Sequence, residues 1–372
     1  MATVNEQMQS ASISHQVDLQ QYSNAEVRKI MALLNRADAD LAARLADAVA
    51  RMDGQSFTVQ YLERMLASVR ELNAQTMASV AEQVTTDMVA LGQYELDYQD
   101  RLFTTVIPAP ALAVAPLAGV TLAQVRQIAF SRPFQGKLLS EWLSDIEAAR
   151  AARIRDAIRI GMTSGLTNDQ IVRSIMGIRS EGYADGLLNR SRQDIESMVR
   201  TAIGHVSQGA RDQFYAANDD LVASVKWLST LDSKTSPDCR LRDGLRYSKD
   251  HKPVGHSVPW LAGPGRIHWQ CRSTSTPIIT LWEELGLTPE EIGEADRASM
   301  NGQVPESMSY GDWLKTQSAE RQDEVLGPTR GKLFREGGLT LDRFYNDKGR
   351  YLDLDQLRER DARAFEKAGI AA

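Results

Sequence analysis

Cysteine is nearly absent from this chain of 372 residues, which has only Cys239 and Cys271. That scarcity excludes a disulfide framework and fits a reducing compartment. Aromatic residues make up only 6%, while Ala, Leu, Arg and Glu dominate most segments, a composition that leans towards helix. Long apolar runs are missing too. The longest, Val106–Val120, is too short to cross a bilayer and carries Pro108, Pro110 and Pro116, so it reads as a linker and no membrane segment is expected. No charged stretch leading into an apolar one opens the chain, so no secretory signal is expected and the cytoplasm is the default site of synthesis. There is no Walker loop, no dinucleotide glycine fingerprint, no H-E-x-x-H and no G-x-S-x-G elbow. These absences leave little basis for an enzyme.

What is present points to a helical protein of two or three domains with a net charge of −6. Residues 1–22 are polar, rich in Ser and Gln and without a sustained period, so they read as mobile. Ser23 with Glu26 suggests a capping box opening an acidic helical arm over 23–106. A Pro/Ala-rich linker follows at 107–120. Thr121 with Gln124 and Thr167 with Gln170 are further cap signatures within a helical domain over 121–218. Leu139, Leu143, Ile146, Ile154 and Ile158 mark a long amphipathic helix that Gly161 and Gly165 should break. Ile195, Met198, Val199, Ala202, Val206 and Ala210 mark another over roughly 191–217, with His205 near its apolar face as a core histidine. The period changes to alternation at Val222–Ser229, which opens a small α+β module over 219–282. A helical C-terminal region (283–372) is expected, with helices near Leu281–Leu285, Pro289–Ala298, Tyr310–Thr316, Ser318–Leu326 and Leu354–Ala368. The expected fold is mainly α, with long amphipathic helices and a turn-rich, short-stranded basic module after Ala217.

Chemistry concentrates in Trp227–Arg272. This stretch holds both cysteines, three of the five histidines and three of the six tryptophans, and its Lys and Arg outnumber its Asp two to one. Cys239, His268 and Cys271 are the candidate metal ligands, because zinc takes thiolate and imidazole ligands from pairs of tight turns. Ser236 stands where a C-x-x-C would place its first cysteine, so a fourth ligand would come from His251, His256 or Asp232. Three readings stay open: a bound zinc, a Cys239–Cys271 disulfide, and inert burial, which free cysteine favours. Asp232 and Asp243 read as turn-formers. Arg240, Arg242, Arg246, Lys249, Lys252, Arg266 and Arg272 suit non-specific phosphate contact, with Tyr247, Trp260 and Trp269 placed to stack on bases. The alternative is that these cations pair with acidic groups of the same chain.

Several motifs in order resemble one family. Arg200-Thr201-Ala202-Ile203 is followed by Trp227, Asp232, Thr235-Ser236 and Cys239, then Gly244, then His268-Trp269-Gln270-Cys271-Arg272-Ser273. Further on come Trp313, Gln322–Gly327, Arg330 and Leu339–Phe344. Together, over roughly Leu139 to Leu357, they resemble the phage Mu F-like minor head proteins of tailed bacteriophages. Ser236 and Ser273 depart from that pattern, standing where its members often carry cysteine, so a four-thiolate metal site is excluded. The resemblance implies a minor capsid protein inside the virion head. It would sit near the portal vertex in few copies, as an oligomer or in multiple copies, contact portal and inner capsid, and act in head assembly and DNA packaging or ejection. It implies no catalytic role. The competing reading is a metal-dependent hydrolase or toxin-type transferase centred on Cys239, His268 and Cys271.

Overall fold

Helix α1 (Val4–Ala50) begins inside the segment expected to be mobile. Its buried positions Val4, Met8, Ser12, His15 and Leu19 recur every three or four residues, as one helical face requires. Ser12, His15 and the neighbouring buried Gln9 are polar, so a count of apolar residues misses the period. The Ser23/Glu26 capping box is likewise corrected, because Ser23 is buried in mid-helix. Helix α2 (Val59–Val106) repeats the spacing with Leu66, Val69, Leu72 and its neighbour Asn73, Met77, Val80 and Val84. A computed structural model describes residues 4–50, 59–107, 109–178, 183–279, 296–299, 302–305, 309–346 and 349–370.

Two compact units gather non-contiguous stretches of chain. One takes 21–93 and 122–206. Its core joins Leu41, Leu66, Val69 and Leu72 to Ile154 and Ile158 of α5 (Leu139–Thr163) and Ile171 and Ile175 of α6 (Asn168–Met176). Helices α3 (Ala109–Val114) and α4 (Leu122–Ser131) precede α5, and α4 starts directly after Thr121. Thr167 caps α6 and Gln170 returns the bond, as the sequence predicts. Gly161, expected to break α5, lies inside it because Ile171 packs there: a Cβ would fall 2.5 Å from Ile171 Cγ1. The break comes with Gly165 at φ +69°. Buried Asp38 accepts bonds from both Arg150 and Arg192, and Arg150 also donates to Asn73 at 2.8 Å.

The other unit takes 1–20, 94–121 and 207–372. It contains an antiparallel sheet ordered β3-β2-β1-β4 from β1 (Ser224–Leu228), β2 (Arg246–Ser248), β3 (Pro253–Val254) and β4 (Thr274–Ile278). Strand β4 reads as polar in sequence, yet Thr274, Ser275 and Thr276 are buried. The start of α1 covers it, with Ser12 Oγ donating to Thr276 Oγ1 at 3.2 Å and Gln16 to the Arg272 carbonyl at 3.1 Å. The end of α7 (Leu187–Ala217) brings Arg211 onto Glu95 at 2.8 Å, and His15 Nε2 meets the second oxygen of Glu95 at 2.8 Å. All three are fully buried, and Tyr98 stacks on His15. Asn218 brackets the backbone of Ala118 from both sides, tying the end of the expected linker into this unit.

Trp313, Phe344, Leu333 and Leu357 centre the C-terminal core. It is built from α9 (Tyr310–Lys315), α10 (Ala319–Leu326), α11 (Pro328–Arg335), α12 (Leu354–Arg360) and α13 (Ala362–Lys367). The single helix expected at Leu354–Ala368 is two, because Asp361 leaves helical geometry and its side chain caps α13 at Ala364. The helices expected at Leu281–Leu285 and over most of Pro289–Ala298 lie outside the described residues. The end of the latter falls in a strand, Asp296–Ser299 (β5), paired with Gly302–Pro305 (β6).

Candidate functional site

Strand β1 is the axis of the basic module, paired on one side with β2 and on the other with β4. Trp227, near its end, is fully buried and meets Trp260 edge-to-face at 5.2 Å, while Tyr247 packs on Trp260 at 4.9 Å. His251 stacks flat on Trp260 at 4.5 Å. Tyr247 and Trp260 are therefore core residues, not stacking platforms for bases. Trp269 alone of the three is exposed.

Two turns next to this core bring the chemistry-bearing residues together. After β1, Asp232 fixes the first turn, accepting from the Lys234 amide and from Thr235 Oγ1 at 3.0 Å each. Ser236 then caps α8 (Pro237–Arg242), with Pro237 in its first turn, which places Cys239 one turn inside and buried. The second turn closes with the Cys271 amide donating to the His268 carbonyl at 3.3 Å, and Gln270 takes φ +56°. Cys239 Sγ thus lies 3.6 Å from Cys271 Sγ and 3.3 Å from His268 Nε2, and Ser236 Oγ lies 2.8 Å from that nitrogen. The three ligand atoms fall within 4.8 Å of one another. His268 Nδ1 is 2.8 Å from the Trp269 carbonyl, which only accepts, so Nδ1 carries a proton and Nε2 faces the cluster.

None of the three residues expected as a fourth ligand joins them. His251 is stacked on Trp260, and His256 Nε2 bonds the Arg246 carbonyl at 2.7 Å. Asp232 is held by Arg272 at 2.7 Å. Ser236, set aside for lacking a thiol, is the group that arrives. Asp243 is a turn-former, accepting from the Ser229 and Tyr310 amides. His205 is the core histidine expected, 3.3 Å from the Ile128 carbonyl and packed on Phe134.

The seven candidate cations divide into three groups. Arg240 and Arg242 are buried, donating to the Val325, Pro259 and Asp238 carbonyls and lying over Tyr310 and Trp227. Arg266 pairs with Asp212 and Arg272 with Asp232. Arg246, Lys249 and Lys252 remain on the outer face of the β2–β3 hairpin. There Arg246 reaches Ser224, and Lys249 forms a solvent-exposed pair with Asp219.

Residues 152–276, about a third of the chain, match the family model described as phage Mu protein F like protein. This stretch is similar to that family. It runs from within α5 into β4 and includes Arg200–Ile203, Trp227, Cys239, Gly244, His268 and Cys271. The match supports a phage head-morphogenesis protein in general. No curated protein and no solved structure matches the chain. No described helix is long and apolar enough to cross a membrane.

Within the matched stretch the two sulfurs share one ionisation, because buried thiols this close do not both carry charge at neutral pH. The bond to Cys271, then burial, pushes Cys239 well above the ordinary thiol range. Burial opposes ionisation of Cys271, but its bonds to Cys239 and His268 outweigh burial and hold it well below that range. Burial likewise opposes protonation of His268, and the Cys271 charge reverses the balance and raises it. Cys271 is thus the group of the three that gives up its proton most readily, while Cys239 and His268 hold theirs more tightly. Beside the cluster, Thr230, Thr235, Ser236, Cys239, His268 and Ser273 line part of a cavity of about 20 Å³, room for a water.

Proposed function

We propose that the protein is a structural minor capsid component of a tailed-phage head, associated with the portal vertex and acting in head assembly and in DNA packaging or ejection. The observation that carries this reading is the family match across residues 152–276. Exposed faces of the long helices dock the protein on portal and inner capsid, in one or several copies. Phosphate contact falls to the exposed Arg246, Lys249 and Lys252, since Arg240 and Arg242 are built into the core and Arg266 and Arg272 sit in more buried ion pairs than the solvent-exposed Lys249–Asp219 pair. A hydrolase or transferase at Cys239, His268 and Cys271 is less well supported, because the family that matches is one of head morphogenesis.

The test is capture of the full-length chain by immobilised portal oligomer from the same genome. The full chain is needed, because removing 1–101 would also remove His15 and Glu95 from the buried network around Arg211. Saturable capture at physiological salt is expected. A folded chain that portal fails to retain at any concentration overturns the portal assignment.

A further inference from the structure

We propose that Cys239, Cys271 and His268 bind one zinc ion with Ser236 at the fourth corner, making a three-ligand site with one exchangeable position. Zinc bonds of about 2.3 Å to sulfur and about 2.0 Å to nitrogen imply tetrahedral edges of roughly 3.8 Å between sulfurs and roughly 3.6 Å from sulfur to nitrogen. The chain holds the two edges at Cys239 at 3.6 and 3.3 Å, each within a few tenths of an ångström of those values, and all three ligand atoms within 4.8 Å of one another. A disulfide would have to bring the sulfurs to about 2.05 Å.

Three further features fit the same ion. The Trp269 carbonyl fixes the His268 tautomer that leaves Nε2 free to ligate, the usual arrangement around a metal-bound imidazole. Both sulfurs are buried, and the ligands come from two tight turns, Ser236–Cys239 and His268–Cys271. On binding, the thiol proton that the sulfur pair still holds passes to solvent, and two thiolates balance the dication. The site is then neutral with a hydroxyl or water in the fourth place, whereas four thiolates would leave two buried negative charges. Two sulfurs and an imidazole in tetrahedral array select zinc over calcium, magnesium or manganese. Zinc binding is independent of the portal and DNA roles.

The experiment measures zinc in the purified full-length chain by elemental analysis, with a chromogenic chelator competing for the ion. About one zinc per chain is expected, falling at least tenfold in Cys271→Ser and His268→Ala. Ser236→Ala should retain the ion with water in its place. Ser236→Cys should bind at least tenfold more tightly, and Co(II) substituted into the wild type should show the visible bands of a tetrahedral thiolate site. A natively folded, reduced wild type that takes up no zinc at micromolar concentration overturns the proposal. So does a chain whose mass shows an intact Cys239–Cys271 disulfide. Both readings use the wild type, so a variant that fails to fold leaves the test decisive.

Discussion

Replacing Glu95 with Gln should be among the most damaging single changes in this protein. Glu95 and Arg211 are fully buried, and their attraction offsets the desolvation of both. In Glu95→Gln the guanidinium keeps its bonds to Thr274 and the Ser275 carbonyl but loses its carboxylate. Leaving such a charge unpaired costs about 3–5 kcal/mol. Titration gives a second estimate. Burial alone would raise the Glu95 pKa, but Arg211, then His15, bring it down from 4.5 to about 2. A folded-state pKa below the unfolded one adds stability above pH 4.5 that is lost as pH falls through 2. That contribution is about 3 kcal/mol, at 1.36 kcal/mol per unit. Urea unfolding followed by tryptophan fluorescence suits the measurement, because Trp227, Trp260 and Trp313 report from the unit that holds the pair. Glu95→Gln should lose about 3 kcal/mol at pH 7, and Glu95→Leu with Arg211→Met much less. A single-variant loss below about 1 kcal/mol, or a double variant as damaged as the single, would refute the reasoning.

Other expectations are as direct. Asp38→Asn leaves Arg150 and Arg192 facing each other without a carboxylate and should cost about 3–5 kcal/mol by the same denaturation assay. Gly161→Ala gains about 1 kcal/mol of helix propensity but drives a Cβ into Ile171, an overpacking worth about 1–3 kcal/mol, so the measured melting temperature should fall. In DNA titrations across salt, combined Arg246→Ala, Lys249→Ala and Lys252→Ala should flatten the log–log slope by about 2–3, whereas Arg266→Ala should barely change it.

The contrast between α1 and α7 shows what could be read from sequence. The face Ile195, Met198, Val199, Ala202 and Val206 is apolar and buried as spaced. In α1 the same periodicity is carried by Gln9, Ser12, His15, Ser23 and Asp38, whose partners lie far off in the chain, so composition alone reads the helix as loose polar sequence. Strand β4 was illegible for the same reason, its threonines and serines being satisfied by Ser12 and Arg211. The α8 turn hid because Pro237–Arg242 is six residues of turn-like composition. At the site, residue type alone brought Cys239, His268 and Cys271 together. The role of Ser236 was not visible, because a missing thiol reads as a gap until its hydroxyl is seen against the imidazole. Nor does charge counting distinguish Arg240 and Arg242, buried under Tyr310 and Trp227, from the open cations of the β2–β3 hairpin.

Quantitative mass spectrometry of purified phage particles and procapsids tests the head role most directly. The chain should be present in both at a small fixed ratio to portal protein. Its absence from particles of a phage that expresses it would contradict that role.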